Sequence, residues 1–271
     1  MFERAFVWLV GENLLIYGGL MFALLGVACE AGFRLGGRRA RHRPDHDHDH
    51  DREGVGTITA SMLGLLSFTL GLTIGYAQDR AEARRGLVIH EANAIGTAWL
   101  RAKLIGGDEG PAIGKLIEEF AKVELAFTVA ASTEPEAELV ARREALQDQI
   151  WSLVQTVAHR DPTPITTAMI VGINEMFDAA LAQRFAFDSR VPPTVSWMLL
   201  CGALLAIGAM GYQFGLMGAR QPVLVSLLLV MWTGGMVLVV DLNRPRFGAT
   251  RVDPAPLIWT IQGFTASSPP H

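Results

Sequence analysis

Histidine and aspartate alternate strictly from Asp45 to Asp51, which places three imidazoles and four carboxylates within seven residues. Imidazole and carboxylate are suitable ligands for Zn²⁺, Ni²⁺ or Cu²⁺, so His46, His48 and His50 are the candidate metal ligands of this chain. The strict alternation does not match the ligand spacing of a closed structural zinc site. The pattern therefore favours adventitious or buffering metal binding in a solvated linker over a catalytic centre.

A second candidate for chemistry is the pair His90 and Glu91, which lies in the stretch VIHEANAIGTAW. A histidine next to carboxylates can titrate near neutral pH, and this would make the pair sensitive to its surroundings. The simpler interpretation is that both residues are polar members of a helix bundle. Both interpretations are open from the residues alone.

Familiar catalytic and nucleotide-binding motifs are missing from the chain. It contains no G-x-x-x-x-G-K-[ST], no G-x-G-x-x-G strand–turn–helix signature, no H-E-x-x-H and no G-x-S-x-G. The net charge is −4 and no basic patch is interleaved with aromatic residues, so nucleic acid is not an expected partner. We predict no cofactor and no enzymatic activity, and an intramembrane enzyme ranks last among the alternatives.

Four apolar segments are long enough to cross a bilayer, which needs about 20 residues of helix. They are approximately residues 14–33, 55–77, 194–215 and 222–241. Half of the 271 residues are hydrophobic, only 18% are charged, and the apolar residues are bunched rather than spread at core spacing. The sequence predicts an all-α polytopic membrane protein with four transmembrane helices and a soluble helical bundle. The lipid bilayer is therefore an expected partner of the chain.

Charge and helix breakers divide the chain into four regions. Residues 1–77 contain the first two spans and an Arg-, Asp- and His-rich loop at 34–54, whose composition cannot build a core and predicts disorder. A soluble helical domain follows at 78–192. A transmembrane hairpin at 193–241 and an extended tail at 242–271 complete the predicted organisation.

The second span continues without a helix breaker into the charged stretch AQDRAEARR. The first clear stop is Gly106-Gly107, so one helix of about 50 residues is predicted to leave the membrane and enter the soluble region. Arginines near the span ends divide nine to seven between the two sides of the membrane, and this margin leaves the orientation open.

A small-residue face on the second span is suited to close helix packing. Ser67, Gly71 and Gly75 recur every four residues, and such spacing lets a neighbouring backbone approach. We therefore predict helix packing through these three positions.

A bulkier face lies beside it and contains Gly64, Phe68 and Leu72. If several copies assembled about an axis, a ring of Phe68 and Leu72 would form an apolar constriction that could gate by dewetting. Ordinary helix packing is the alternative interpretation of the same spacing.

The stretch SMLGLLSFTLGLTIGYAQDRAEARRGLVIHEANAIGTAWLRA closely resembles the signature of bacterial bestrophin-like domain membrane proteins. Further landmarks occur in order as WSLVQ, RDPTP, INEM, GYQFG and DLNRPR. The resemblance extends from about residue 55 to 253 and omits the first span and the His-rich loop. It implies a multi-pass protein of the bacterial inner membrane.

The family is more distantly similar to bestrophins, pentameric anion channels with cytoplasmic termini and an apolar neck lined by the second helices. Their S-F-x-L-G pattern is matched at residues 67–71. The resemblance implies that Phe68 and Leu72 line a neck, with Gly64 where bestrophins place a larger apolar group. It also implies a homo-oligomer, small anions as the transported species, and a soluble domain on the cytoplasmic side.

By the same resemblance, His90 and Glu91 would lie where a cytoplasmic vestibule continues from the neck. The chain departs from animal bestrophins after the fourth span, where Asp241 and Asn243 lack the acidic run of a calcium clasp. Calcium gating is therefore not expected. The competing hypothesis is a membrane-anchored scaffold or sensor whose soluble helices bind a partner and whose spans only pack.

Overall fold

Regular structure in this protein is entirely helical. The computed structural model describes residues 14–41, 48–130, 133–189, 191–246 and 248–266. No β-strand occurs within these ranges, which confirms the predicted all-α class. Their eight helices are α1 (Leu14–Arg41), α2 (His48–Ala102), α3 (Glu109–Val129), α4 (Thr133–Arg160), α5 (Pro164–Asp188), α6 (Pro193–Met217), α7 (Pro222–Leu242) and α8 (Ala255–Ala266).

The long predicted helix is present as α2, which contains 55 residues. At 1.5 Å per residue this helix is about 80 Å long. Hydroxyl groups in its apolar half donate hydrogen bonds of 2.8 to 3.0 Å to the carbonyl oxygen four residues earlier; the donors are Thr57, Ser61, Thr69 and Thr73. These polar side chains are thus satisfied within the helix itself, which makes them tolerable in an apolar setting.

The chain forms two compact units, and α2 contributes to both. Unit 1 contains the described residues up to Asp79 together with 191–243. Unit 2 contains the described residues from Arg80 to 189 and from Arg244 onward. The division falls two residues after the predicted end of the second span, where the composition of α2 changes from apolar to charged.

Unit 1 is built on α1, which packs against α6 and α7. Its buried side chains are almost all aliphatic and come from four helices; they include Leu25, Leu66, Leu70, Leu199, Ile207, Leu229 and Met236. Leu66 and Leu70 of α2 are the inward-facing residues of the second span. The face of α2 that carries them is therefore fixed by packing within the chain.

Unit 2 contains the remaining part of α2 with α3, α4, α5 and α8. α3 packs against both α4 and α8, and α4 packs against α5. The core is formed by fully buried apolar residues such as Ile95, Phe120 and Ile173. α5 begins at a regular N-cap, because the Thr163 hydroxyl accepts a hydrogen bond from the Thr166 amide at 3.2 Å.

The region at 34–54, predicted to be a disordered loop, is helical at both ends. Residues 34–41 complete α1 and residues 48–54 begin α2, whereas residues 42–47 lie outside the described part of the chain. Arginines in the last turn of α1 interact favourably with the helix dipole, and Arg34 donates to Glu30 at 2.9 Å. These local interactions extend α1 beyond its apolar segment.

The tail at 242–271 also differs from the prediction, because part of it is helical rather than extended. α8 occupies Ala255–Ala266 and packs on α3 in unit 2. Leu257 and Phe264 are buried there, and the Phe264 ring lies 4.8 Å from the ring of Trp99. The apolar face of α8 is buried by contact with other helices of unit 2, and this contact stabilises the helix.

Five helices in the described ranges are long and apolar enough to cross a membrane. Four of them correspond to the predicted spans, and the fifth is α5. Residues Met169, Ile173 and Met176 of α5 are buried in the core of unit 2, which accounts for its apolar composition. The number of transmembrane helices, four, stays a prediction.

Candidate functional site

The predicted pore-lining face of α2 is uncovered within the chain. Phe68 is 64% exposed and Leu72 is 59% exposed, and Gly64 lies on the same exposed stripe one turn before Phe68. On the opposite side of the helix, Leu66 and Leu70 are each only 8% exposed because they pack into unit 1. The three predicted residues therefore share one apolar face that is available to lipid or to another chain.

The predicted packing face is uncovered as well. Ser67, Gly71 and Gly75 are exposed, and a side-chain carbon placed on Gly71 or Gly75 would meet no atom within 4 Å. These residues do not mediate helix packing inside the described chain. Helix packing through these three residues stays a prediction for contacts between chains only.

Close helix packing occurs instead between α1 and α6. A side-chain carbon on Gly36 of α1 would collide with the carbonyl oxygen of Tyr212, and one on Gly215 of α6 would collide with that of Phe33. Gly32 and Gly211 are equally crowded by the backbone of the other helix. This contact was not predicted, although Gly32 and Gly36 of α1 and Gly211 and Gly215 of α6 have a glycine-xxx-glycine spacing that could have revealed it.

The candidate metal ligands lie outside what the structure describes. His46 is outside the described residues, as are the side chains of His48 and His50. Elsewhere in the described ranges, no group of three or more His, Cys, Asp or Glu side chains is arranged to hold a metal ion. Metal binding by the Asp/His segment stays a prediction.

The structure separates His90 from Glu91. His90 is exposed, whereas Glu91 is fully buried at 0% exposure in unit 2. Consecutive residues of a helix differ in direction by about 100°, so one of the two points inward when the other points outward. Of the predicted vestibule pair, only His90 lies on the surface of the chain.

A second buried glutamate accompanies Glu91. Glu124 of α3 is also 0% exposed, and Nη1 of Arg143 in α4 lies 3.4 Å from both of its carboxylate oxygens. The Arg143 side chain is itself only 6% exposed. Glu124 and Arg143 were not predicted as site residues, because nothing in their local sequence pattern separates them from the surface charges of the same helices.

The electrostatics of this cluster differ between the two glutamates. Burial, reinforced by the nearby Glu124 carboxylate, raises the pKa of Glu91 well above its usual range. Burial also raises the pKa of Glu124, but the Arg143 guanidinium opposes that effect. The arrangement therefore favours the neutral form of Glu91, whereas Arg143 partly offsets the cost of a charged Glu124.

A layer of polar and aromatic groups surrounds the cluster one turn farther along α3. Gln183 donates a hydrogen bond to the Thr128 hydroxyl at 3.0 Å, and that hydroxyl donates to the Glu124 carbonyl oxygen at 2.9 Å. The guanidinium groups of Arg143 and Arg246 lie 5.5 and 4.5 Å from the centre of the Phe127 ring. Such contacts fix the cations over an aromatic face.

The described geometry combines five helices long and apolar enough to cross a membrane, an uncovered apolar face on α2 and a helical unit with a buried ion cluster. Residues 27–257 match the family described as Bestrophin-like domain. The chain belongs to the Bestrophin-like domain family. As a member of this family with long apolar helices, it is a membrane protein. No curated protein sequence matches the chain.

Solved structures of bestrophin homologues share the fold of this Bestrophin-like chain. A crystal structure of a mutant bacterial bestrophin homologue from Klebsiella pneumoniae has a TM-score of 0.67 at 12% identity, covering 94% of this chain and 98% of that one. A structure of the homologue from the same organism, solved by Zn-SAD phasing, has a TM-score of 0.66 at 12% identity and covers 95% and 100%. At 12% sequence identity, these similarities show a shared fold and nothing further.

Proposed function

We propose that this Bestrophin-like protein assembles into a homo-oligomer and that its subunits surround an apolar neck through which small anions cross the membrane. Each subunit would contribute Phe68 and Leu72 of α2 to the neck. Gly64 adds no side chain, so the constriction would be formed by the other two residues alone. A pentamer is the stoichiometry that the bestrophin resemblance favours.

The observation that carries this proposal is the exposure of Phe68 and Leu72 on one face of α2. A phenylalanine ring and a leucine side chain are left uncovered while the opposite face of the same helix is packed into unit 1. A ring of such groups from several subunits forms a hydrophobic constriction, which can open and close by wetting and dewetting. Family membership and the shared fold support the assignment to this class.

In the proposed arrangement, the protein lies in the bacterial inner membrane with unit 2 on the cytoplasmic side. Of the two predicted vestibule residues, His90 and Glu91, only His90 is exposed and could face an aqueous path in this orientation. Accessibility of a cysteine at position 90 to a membrane-impermeant thiol reagent, in right-side-out and inverted vesicles, would test the orientation. Labelling only in inverted vesicles is expected.

Chloride efflux from liposomes tests the neck. Purified protein with Phe68→Ala should release chloride several-fold faster than the wild type at the same potential and protein load, because the alanine widens and weakens the apolar barrier. Leu72→Ala should act in the same direction. The matched control is Leu227→Ala on α7, since Leu227 is 62% exposed and Leu72 is 59% exposed; this control should leave the efflux rate unchanged.

Equal background leakage from all four proteins, with the oligomer intact, would contradict the neck. A rate increase in Leu227→Ala as large as that in Leu72→Ala would point to general loosening of the spans. Size-exclusion chromatography with light scattering must therefore accompany each efflux measurement.

The second candidate function is a membrane-anchored scaffold or sensor. It is favoured by an exposed apolar pair on α5, where Leu181 is 64% exposed and Phe185 is 72% exposed, one turn apart. Such a pair on a helical unit suits contact with another protein. Absence of flux, together with partner binding that depends on Leu181 and Phe185, would replace the channel by this scaffold.

A further inference from the structure

The buried cluster in unit 2 contains more acid than base. Glu91 and Glu124 are both fully buried, and only Arg143 makes an ion pair with either of them in the described chain. No N–H or O–H donor of the described residues reaches either carboxylate oxygen of Glu91. The Glu91 carboxyl instead lies within hydrogen-bonding reach of the Glu124 carboxyl, a contact that requires a proton on one of the two groups.

Two ionised carboxylates at this site would leave one negative charge without a counter-ion. Burying an unpaired carboxylate is very costly, and such a group takes up a proton instead. When two carboxyl groups share a site, one of them keeps a proton far above the usual glutamate range. Glu91 is the member that keeps it, because the guanidinium of Arg143 stabilises the charged form of Glu124.

We propose that Glu91 and Glu124 form a buried binding site for a single proton, and that release of this proton loosens the contact between α2 and α3. The same two helices are joined by a 3.0 Å hydrogen bond from the Trp99 indole of α2 to the Glu118 carboxylate of α3. The site is a device of unit 2 alone. Any effect of the proton on conduction rests on the proposed function, whereas proton binding itself does not.

The charged groups that act on the pair lie on α4 and α5. Arg143 on α4 faces both carboxyls, and Arg184 on α5 acts on Glu124. On α2 the neighbouring His90 is exposed, and α8 contains no ionisable residue. Arg246 stacks over Phe127, one turn away from Glu124. None of these groups supplies Glu91 with a salt bridge in the described part of the chain.

The direction of the pH effect follows from the raised pKa of Glu91. The protonated acid is favoured in the folded unit, so its stabilising contribution is complete below the pKa of an unfolded glutamate, about 4.3. The contribution is lost progressively as the pH rises from there through the raised folded pKa. Above that value the two carboxylates repel each other, and separation of α2 from α3 relieves the repulsion.

Infrared spectroscopy of the full-length protein in detergent tests the proton directly. The wild type should show the carbonyl band of a protonated carboxyl group at pH 7, and this band should disappear on alkaline titration. Glu91→Gln should lack the band at every pH above the normal glutamate range. The matched control is Glu82→Gln, also on α2, because the Glu82 side chain is 78% exposed; the band should survive this substitution.

Hydrogen exchange measures the loosening of the helices. After correction for intrinsic base catalysis, amides in residues 88–95 and 120–128 should exchange at least about tenfold faster once the proton is lost. Glu91→Gln should abolish this pH-dependent increase, since its neutral amide cannot be deprotonated. Persistence of the increase in Glu91→Gln would overturn the proposed loosening.

A second variant keeps the proposal testable if Glu91→Gln does not fold. Glu124→Gln removes the repelling carboxylate and leaves Arg143 available to Glu91, so the infrared band should disappear at lower pH than in the wild type. A wild-type protein without a protonated carboxyl at pH 7 would overturn the site. Neither experiment measures ion flux, so failure of the proton site and failure of the channel are distinguishable.

Discussion

Two ion pairs formed by adjacent arginines of α4 differ in burial and therefore in energetic weight. Arg143 pairs with Glu124 at 3.4 Å, and both side chains are almost completely buried. Arg142 pairs with Glu119 at 3.5 Å, but these side chains are 65% and 53% exposed. An exposed pair contributes little because water already solvates both charges, whereas removal of one partner from a buried pair leaves an uncompensated charge. Neighbouring residues thus provide an internal comparison.

Arg143→Met should destabilise the folded protein by about 3–5 kcal/mol at neutral pH, because Glu124 would lose its counter-ion. The loss should shrink below about pH 4.3, where both glutamates are protonated in the folded and unfolded chain. Denaturant-induced unfolding followed by circular dichroism measures the change. Arg142→Met should stay within about 1 kcal/mol of the wild type; equal effects of the two substitutions would contradict a special role for burial.

Helix packing in unit 1 depends on how closely two backbones approach. The contact between α1 and α6 is made where Gly36 faces the backbone of Tyr212 and Gly215 faces that of Phe33. Close approach increases van der Waals contact, which drives helix association where lipid removes the hydrophobic effect. α2 uses larger residues, Leu66 and Leu70, for its packing in the same unit. The two kinds of helix contact should respond differently to substitution.

Gly36→Ala should lower the stability of unit 1 by about 1–3 kcal/mol, because the new methyl group must push α1 away from the Tyr212 carbonyl. The control is Gly19→Ala on the same helix, where a side-chain carbon meets nothing within 4 Å. Gly19→Ala should be neutral or slightly stabilising. Thermal unfolding in detergent compares the two variants, and equal midpoints would show that the close contact does not limit stability.

For the molecule as a whole, the large apolar side chains that one chain leaves exposed must be covered by lipid or by another subunit. Unit 1 exposes large side chains on every helix, including Leu15 at 85%, Phe68 at 64% and Leu227 at 62%. Lipid tails can cover such residues without cost, so exposure by itself does not distinguish a lipid-facing helix from one that faces another subunit. The proposed assembly makes this distinction for α2, which would face the other subunits.

Cysteine cross-linking should reveal that difference. In a background with Cys29 and Cys201 replaced by serine, Leu72→Cys should form disulfide-linked dimers of the 29.4 kDa chain in oxidised membranes. Leu227→Cys, at nearly the same exposure, should cross-link much less if α7 faces lipid. Non-reducing electrophoresis gives the result. Preferential cross-linking through Leu227 would place α7, rather than α2, between subunits.

Local sequence determined most of the helical organisation. Apolar runs predict the segments that suit a bilayer because hydrophobicity is a property of consecutive residues. The continuity of α2 was readable because no breaker occurs before Gly106, and the start of α5 was readable from the DPTP stretch that holds its N-cap, Thr163. The helix in the tail, α8, was not predicted, because its apolar face is buried only by contact with the other helices of unit 2.

Only the tertiary structure decided which residues meet. Small-residue faces occur on α1, α2 and α6, and folding brought Gly36 and Gly215 into a close backbone contact while leaving Gly71 open. Glu91 and Glu124 belong to different helices, so their shared site depends on contacts between residues distant in sequence. Sequence patterns record the properties of single helices, whereas close packing and pKa shifts arise from the arrangement of several helices in three dimensions.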